Sequence, residues 1–280
     1  MDKPNKKAIL HQESIKQVRR QRVILWLAII TTICAALFAL QVIPYVSDLV
    51  AFRRYTLPNI SPFDAHWNEL NSDFAGWLRI DGTGIDFPVV QGSNNLEYLN
   101  TTFYGEENRV GAIFMDYRSA VDSSHIIIYG HQISDESKNT IMFGTLTNFL
   151  NPEYLTAHPY IWFMENGKLH EFEIFSARAT DIYDPAYQIF FNTSDSFETF
   201  LKETGAPAPI AATQNDSFAH MNNGALQIVT PTVEVPTRII TLSTCIGANN
   251  NRRMIVQGIL RRTAPVTIEN REETGWTIVR

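Results

Sequence analysis

The chain is poor in cysteine: its 280 residues include only Cys34 and Cys245. Two cysteines, one of them inside a long apolar run, exclude the disulfide framework that holds many small secreted domains together. Metal-ligand spacings such as C-x-x-C or H-E-x-x-H are missing too, so we expect no metal site and no cofactor. Cys245 is therefore a thiol without a disulfide partner, and the simplest chemical reason to keep one is nucleophilic catalysis. The alternative is a buried cysteine that acts as a small hydrophobic residue.

Basic residues are scarce after the first 22 positions. Residues 1–22 carry seven basic and two acidic side chains, whereas the rest of the chain has 16 Lys and Arg against 27 Asp and Glu, a formal net charge of −11. This balance is not typical of a nucleic-acid-binding protein. Because net charge governs solubility and association rather than fold, the acidic excess suits a domain beside an anionic cell surface.

Residues 23–43 form a long apolar run in which Gln41 is the only strongly polar side chain. A helix over this run, at about 1.5 Å per residue, spans about 30 Å of hydrocarbon. We predict a transmembrane anchor here, with residues 1–22 as a basic cytoplasmic tail and everything after Pro44 outside the cell. A cleaved signal peptide is the alternative, but the run is too long and no A-x-A-like cleavage site follows it.

The number of residues after Pro44 is typical of one domain with added segments. Spacings of three and four between Trp67, Leu70, Phe74 and Trp77 indicate a helical stripe, and we predict a helical neck over residues 44–80. Repeated segments rich in β-branched and aromatic residues follow, bounded by turn residues, and they predict a mainly β fold, a barrel or a sandwich. The expected strands lie at residues 85–91, 111–116, 125–129, 160–164, 170–177, 239–243 and 254–260.

A long stretch separates the fifth of these strands from the sixth. An Asp195-x-x-Glu198 motif resembles a capping box and predicts a helix that ends at Gly205. The proline-rich residues 205–237 that follow are interpreted as an irregular loop that borders the active site. Residues 263–280 form a charged tail whose role the sequence does not define.

A cysteine nucleophile needs a partner, because a free thiol with a pKa of about 8.5 is only a few per cent thiolate at neutral pH. Among the six exterior histidines we select His131, since it follows a β-branched run and Gly130, which together present the ring at a strand end. Arg252 and Arg253 open the strand after Cys245, where a guanidinium can stabilise an oxyanion. Strand alternation alone allows either arginine to face the site.

These residues resemble the signatures of a known family. The Tyr129-Gly130-His131 segment, the TLSTC segment at residues 241–245 and Arg253 look like the His, TLxTC and Arg motifs of the sortases, the membrane-anchored cysteine transpeptidases of Gram-positive bacteria. Further segments resemble class B sortases in particular and occur in the same order. These are residues 87–92, 98–100, 111–118 and 142–144. The likeness covers about residues 67–260.

The resemblance implies a closed sortase-type β-barrel of about eight strands over residues 81–262, preceded by the neck and the anchor, with a helix in the long connection before the cysteine strand. It implies that Cys245 is the nucleophile, that His131 is the general acid that protonates the leaving amine, and that Arg253 stabilises the oxyanion. The groove for the sorting signal is implied to be bordered by Asn95, Leu99, Tyr129 and Ser243, with Phe190 and Phe191 as further candidates for its far wall.

The implied reaction is a transpeptidation that cleaves a C-terminal sorting motif after Thr through a cysteine thioester. Implied partners are surface or pilin proteins with that motif, a primary amine of a cell-wall precursor or a pilin lysine, and the membrane, but no nucleic acid. An inactive, membrane-tethered binding or scaffold protein that kept the barrel is the alternative. A thiol hydrolase of another fold agrees less well, because here the histidine precedes the cysteine and the thiol ends a strand.

The chain departs from the class B pattern in two places. Residues 205–237 form a longer connection than class B sortases lead us to expect, and Ile246 is apolar where relatives often carry a polar or acidic residue. The longer connection leaves open which peptide the groove prefers, and the apolar Ile246 means that any helper role for that position is absent.

Overall fold

The computed structural model describes residues 6–55, 66–120, 123–134, 140–206, 212–214, 219–222, 225–228, 233–235, 237–245, 251–265 and 277–279. The chain divides into two compact units, Met1–Val50 and Ala51–Arg280.

The first helix, α1, covers Lys6–Tyr55. Its segment Lys16–Ile43 is long and apolar enough to cross a membrane, and none of it is buried inside the protein. The hydroxyls of Thr31 and Thr32 donate to backbone carbonyls one turn earlier, at 3.0 and 2.8 Å, so they need no water. The helix is consistent with membrane anchoring by the predicted segment 23–43.

The predicted neck, residues 44–80, is only partly helical. Helix α1 continues to Tyr55 and a single turn, α2, covers Trp67–Leu70, but Phe74–Ile80 form the first strand, β1. The prediction of a helix over these last residues was wrong. Strand β1 pairs with a strand on each side, and this ladder outweighs the local helical spacing.

The other strands are β2 (Ile85–Val90), β3 (Ile113–Met115), β4 (His125–Tyr129), β5 (Gln132–Ser134), β6 (Thr140–Met142), β7 (Tyr160–Glu165), β8 (Lys168–Asp181), β9 (Ala212–Gln214), β10 (Ala219–Asn222), β11 (Ala225–Ile228), β12 (Val233–Val235), β13 (Ile239–Cys245), β14 (Arg252–Pro265) and β15 (Thr277–Val279). The remaining helices are α3 (Pro152–Ala157) and α4 (Ser194–Thr204), with 3-10 turns at Glu97–Leu99, Phe143–Leu150 and Pro185–Tyr187. Each of the predicted strands is confirmed, with ends that differ by a few residues.

Eight strands close into a barrel in the order β14, β13, β4, β3, β2, β1, β7 and β8, and β8 pairs back onto β14. Neighbours are antiparallel except for β13 with β4 and β2 with β3, which are parallel. Closure pairs every strand of the ring on both sides, so the ring itself offers no unpaired edge. The prediction of a mainly β, closed-barrel fold is thereby confirmed.

Alternation along the strands divides the barrel wall into two faces. On β13, Ile240 and Leu242 belong to the apolar cluster that fills the barrel interior. Thr241 and Ser243 therefore lie on the outer face, where other elements cover them. Both residues are buried all the same, so the outer face of β13 is not a solvent surface.

Helix α4 covers part of this outer face. Its residues Phe200 and Leu201 pack on Ile239 of β13 and Ile259 of β14. The helix is confirmed, and so is its end at Gly205, which has a left-handed backbone. The predicted Asp195 and Glu198 capping box is wrong. The reciprocal box is made by Thr193 and Ser196 instead, because the short Ser196 hydroxyl bonds back to the Thr193 backbone.

The described parts of residues 205–237 are strands rather than irregular loop, so that prediction is wrong for them. Strand β9 pairs in parallel with the end of β14 and carries β12, which lets these backbone groups extend the barrel sheet. Strands β10 and β11 form a hairpin on which β15 lies in parallel. The predicted tail, residues 263–280, begins inside β14 and includes β15; its other residues and the rest of 205–237 lie outside the described part.

A row of hydrogen-bonded polar side chains crosses four strands of the outer face. Burial lowers the pKa of His125 to about 4, so its ring is neutral. Its Nδ1 lies 2.7 Å from the Gln188 carbonyl and must donate, which leaves Nε2 to accept from the Thr241 hydroxyl, also at 2.7 Å. The Thr241 oxygen accepts from the Gln257 amide at 3.1 Å, and Gln257 accepts from Arg178 at 2.7 Å.

Acid is expected to destabilise the barrel through His125. Its pKa is about 4 in the folded protein and 6.5 without burial, so the unfolded chain binds more protons between these values. Stability present above about pH 6.5 is thus lost as the pH falls toward 4, by about 2 kcal/mol at pH 5. We expect the melting temperature, followed by tryptophan fluorescence, to fall by several degrees between pH 8 and pH 5.

His125→Gln should reduce this fall while keeping a polar side chain in the row. His170, whose pKa burial lowers to about 3, contributes a second loss of the same sign, so part of the pH dependence remains. An identical fall in the wild type and in His125→Gln would contradict the assignment.

Candidate active site

Cys245 is the last residue of β13, and its antiparallel partner on β14 is Arg253. Directly opposed residues in such a pair carry their side chains on the same face of the sheet. Alternation places residue 245 on the outer face with Thr241 and Ser243, so Arg253 lies on that face and Arg252 on the other. The register thus favours Arg253, a choice that strand alternation alone left open. The Cys245 side chain lies outside the described part of the structure, as does Ile246.

Arg253 is partly buried, whereas Arg252 is exposed. One guanidinium nitrogen of Arg253, Nη1, donates to the Arg252 carbonyl at 3.0 Å. On the other side of β14, Arg253 is opposed by Thr180 of β8. Arg253 therefore lies near the start of β14, paired with a strand on each side, and its guanidinium is held by the main chain.

His131 follows β4, the parallel neighbour of β13. Tyr129 pairs with Ser243, and the Gly130 N–H donates to the Ser243 carbonyl at 3.2 Å. His131 and Cys245 both come two residues after the Tyr129 and Ser243 pair. The two candidate catalytic residues therefore leave the same end of two adjacent parallel strands.

The His131 ring is held by a backbone carbonyl. Its Nε2 lies 2.8 Å from the Leu99 oxygen, and because a carbonyl can only accept, Nε2 carries the hydrogen. In the neutral ring Nδ1 is then the nitrogen that takes up a proton, and in the cation it is the one free to deliver it. The Phe143 N–H donates to the His131 carbonyl at 3.1 Å and fixes the main chain as well.

Two of the predicted groove residues, Asn95 and Tyr129, are joined through a shared hydrogen-bond acceptor. The Asn95 amide and the Tyr129 hydroxyl both donate to Oδ2 of Asp116, at 2.9 and 3.0 Å. Ser243 shares a hydrogen bond of 2.8 Å with the Tyr187 hydroxyl. The Leu99 carbonyl contacts the His131 ring, so each of the four predicted groove residues has a polar contact in this region.

The two far-wall candidates have different surroundings. Phe190 is 63% exposed, whereas Phe191 packs on Phe197 and Phe200 in the cluster under α4. Phe190 is thus free to contact a ligand, and Phe191 supports the helix.

Asp116 is a fully buried carboxylate that the sequence reasoning did not select. Arg118 donates to it through its backbone N–H, Nε and Nη2 at 2.8 to 3.0 Å. Burial would raise the pKa of this carboxyl, but the hydrogen bonds from Arg118, Asn95 and Tyr129 outweigh it and hold the pKa below its usual value. Asp116 is therefore ionised. Burial and the Asp116 charge together raise the pKa of Tyr129, which stays a neutral hydroxyl.

Sequence reasoning missed Asp116 and Tyr187 because their partners come from distant parts of the chain. The only available signal for Asp116 was its place in the class B-like segment 111–118. Tyr187 had no signal of its own, since its turn is placed by Asp184, which accepts from the Ala186 N–H and from Arg178.

Gly111 is required next to the carbonyl that His131 binds. Its φ is +62°, in the left-handed region, and a Cβ added there would lie 2.5 Å from the Tyr98 oxygen and 2.7 Å from the Leu99 oxygen. The adjacent Ala112 N–H holds the same turn by donating to the Tyr98 carbonyl at 3.0 Å. Any larger residue at 111 must therefore displace the Leu99 carbonyl.

Comparison with known proteins identifies the family. Residues 78–261 match the sortase domain, and the chain therefore belongs to the sortase family of cysteine transpeptidases. It is similar to sortase B of Staphylococcus aureus, with 31% identity over 192 residues that cover 67% of this chain and 70% of that protein. It is also similar to sortase B of Listeria monocytogenes, with 32% identity over 200 residues that cover 69% and 71%.

Solved structures give the same result. Sortase B of Clostridium perfringens superposes with a TM-score of 0.55 at 29% identity, covering 70% of this chain and 97% of that one. A Staphylococcus aureus sortase B-substrate complex superposes with a TM-score of 0.54 at 28% identity, covering 69% and 82%. The chain is thus class B-like within its family.

Gly111→Ala is expected to lower the rate of enzyme acylation by about tenfold or more, because a displaced Leu99 carbonyl misplaces the His131 ring. Gly167→Ala is the matched control. Gly167 also has a left-handed φ, of +69°, but an added Cβ meets nothing within 4 Å. Gly167→Ala should lose about 1–2 kcal/mol of stability without a change in rate. Equal effects of the two substitutions on the rate, measured with a sorting peptide, would contradict this role.

Proposed function

We propose that Cys245, His131 and Arg253 are the catalytic residues of this sortase and that it transfers proteins with a C-terminal sorting motif to a primary amine. The observation that carries the proposal is the register of the site. Cys245 and His131 leave the same end of the parallel strands β13 and β4, and Arg253 lies opposite Cys245 on the same face.

In the first half of the reaction the Cys245 thiolate attacks the carbonyl carbon of Thr in the sorting motif. The oxygen becomes an oxyanion, which the Arg253 guanidinium stabilises by charge-assisted hydrogen bonds. The tetrahedral species collapses as the C–N bond breaks, and the His131 imidazolium gives its Nδ1 proton to the departing amine. A Cys245 thioester and a neutral imidazole remain.

In the second half a primary amine attacks the thioester and loses a proton to His131. The new amide forms, the Cys245 thiolate leaves, and the starting ion pair is restored. Water gives slow hydrolysis in place of transfer. A cell-wall precursor and a pilin lysine are the two candidate acceptors, and a sortase B solved in complex with triglycine supports a primary amine in general.

The sorting peptide is proposed to bind along Asn95, Leu99, Tyr129 and Ser243. Their polar contacts, which lie around the ends of β4 and β13, support this proposal. The existence of a sortase B-substrate complex among the similar structures supports a peptide groove in this family.

We place the protein in the cell membrane as a single-pass protein with a cytoplasmic N-terminus and an extracellular catalytic domain. The apolar segment Lys16–Ile43 supports the anchor. The basic excess of residues 1–22 supports the orientation, because cytoplasmic flanks of membrane helices are rich in Lys and Arg.

The test is mass spectrometry of the full chain in detergent, incubated with a pooled library of sorting-type pentapeptides and with triglycine. We expect an acyl adduct on Cys245 and a peptide–triglycine product, and neither with Cys245→Ala. A folded protein whose Cys245 is alkylated by iodoacetamide but never acylated would overturn the proposal and favour an inactive scaffold.

The two adjacent arginines provide a matched pair of variants. Arg253→Ala should lower turnover by about a hundredfold or more, as the loss of an oxyanion donor does. Arg252→Ala removes the same side chain from the other face of β14 and should leave turnover within about threefold of the wild type. The assignment fails if the two variants exchange these results.

A further inference from the structure

Two elements hold the His131 ring in place. One is the segment of residues 95–99, which ends in the Leu99 carbonyl bound to Nε2. The other is β4, whose last residue, Tyr129, precedes His131 by two positions. A single side chain, the Asp116 carboxylate, contacts both elements.

Residues 95–99 are fixed at their two ends. At the start, Asn95 donates to Asp116 and accepts from the Tyr117 N–H at 3.0 Å. At the end, Tyr98 accepts from the Ala112 N–H at 3.0 Å. The Leu99 carbonyl follows this second anchor, so its position depends on both.

Asp116 is itself fixed to the barrel. It follows β3, and its N–H donates to the Ile127 carbonyl of β4 at 2.8 Å. The Tyr129 hydroxyl reaches it from the same β4 strand, while the Tyr129 ring lies 5.3 Å from the Phe114 ring, centroid to centroid. The carboxylate therefore joins residues 95–99 to a rigid part of the sheet.

Among the described residues, the groups bonded to the Asp116 carboxylate are all hydrogen-bond donors: the Arg118 backbone and guanidinium, the Asn95 amide and the Tyr129 hydroxyl. An ionised carboxylate only accepts and matches all of them. An asparagine would turn an N–H group toward at least one donor. The site is thus built for a negative charge that is 0% exposed to solvent.

We propose that Asp116 is a positioning residue for the general acid. Through Asn95 and Tyr129 it holds the Leu99 carbonyl against Nε2 of His131 and so keeps the reactive proton on Nδ1. The proposal rests on the proposed function of His131, and it assigns to Asp116 no contact with substrate.

The test compares two leaving groups in Asp116→Asn. An amide substrate needs a proton from His131, whereas a thioester of the same peptide expels a thiolate without one. We expect the acylation rate with the amide to fall by about tenfold or more and the rate with the thioester to stay within about threefold. A general loss of structure lowers both rates by the same factor, and that result would overturn the proposal.

Glu165→Gln is the matched control. Glu165 is also a buried carboxylate, and it is bonded to Arg238 at 2.5 Å. Arg238 comes just before the first residue of β13, whereas Cys245 is the last residue of that strand. The substitution should cost stability but leave the ratio of amide to thioester rates unchanged. A change of this ratio in Glu165→Gln as large as that in Asp116→Asn would overturn the proposal.

A second measurement needs no substrate. Nitrogen-15 NMR of the full chain labelled at histidine reports which ring nitrogen of His131 carries the hydrogen. We expect the Nε2–H tautomer in the wild type and a mixture of the Nε2–H and Nδ1–H tautomers in Asp116→Asn. If the variant gives the same histidine signals as the wild type, the proposal is overturned, even if the wild type transfers no peptide. Should Asp116→Asn fail to fold, Asn95→Ala cuts the same connection and should give the same leaving-group ratio and the same NMR mixture.

Discussion

The parallel pairing of β4 with β13 is the constraint on which the site depends. His131 and Cys245 are more than a hundred residues apart in the chain, yet the pairing of Tyr129 with Ser243 brings both to one end of the sheet. Parallel strands need a long crossover, and the chain between them supplies β7, β8 and α4. Pairing of β8 with β14 then closes the barrel and holds β14 beside β13. The same connections that complete the barrel therefore build the site.

Alternation lets one strand serve both core and site. In β13, Ile240 and Leu242 fill the interior while Thr241 and Ser243 carry polar contacts on the outer face. Burial disfavours the charged form of both His125 and Asp116, and their hydrogen-bond partners decide the outcome. His125 has one carbonyl and one hydroxyl as partners and stays neutral, whereas Asp116 is surrounded by donors and stays charged. Both side chains are thus matched to their partners, which favours rigid surroundings for the candidate site.

Local patterns in the sequence were sufficient for seven of the eight barrel strands and for α4, because β-branched segments and their turn residues act over short distances. They were insufficient for Phe74–Ile80, whose helical spacing is overruled by pairing on both sides. The N-terminal cap of α4 differs from the predicted one because the short hydroxyl side chains of Thr193 and Ser196 bond more directly than the longer acidic pair. The short strands within residues 205–237 were not predicted, since their order comes from pairing with other strands.

The sequence by itself determined the family, the apolar anchor segment and the residues with suitable chemistry, because motifs, charge and hydrophobic runs are properties of neighbouring positions. Only the tertiary structure favours Arg253 over Arg252, since the faces they occupy depend on their register with Cys245. It also revealed the hydrogen bonds of Asp116, for which the sequence offered only its place in segment 111–118. Two of its donors, Asn95 and Tyr129, come from separate stretches of the chain and reach this carboxylate only when the barrel is formed.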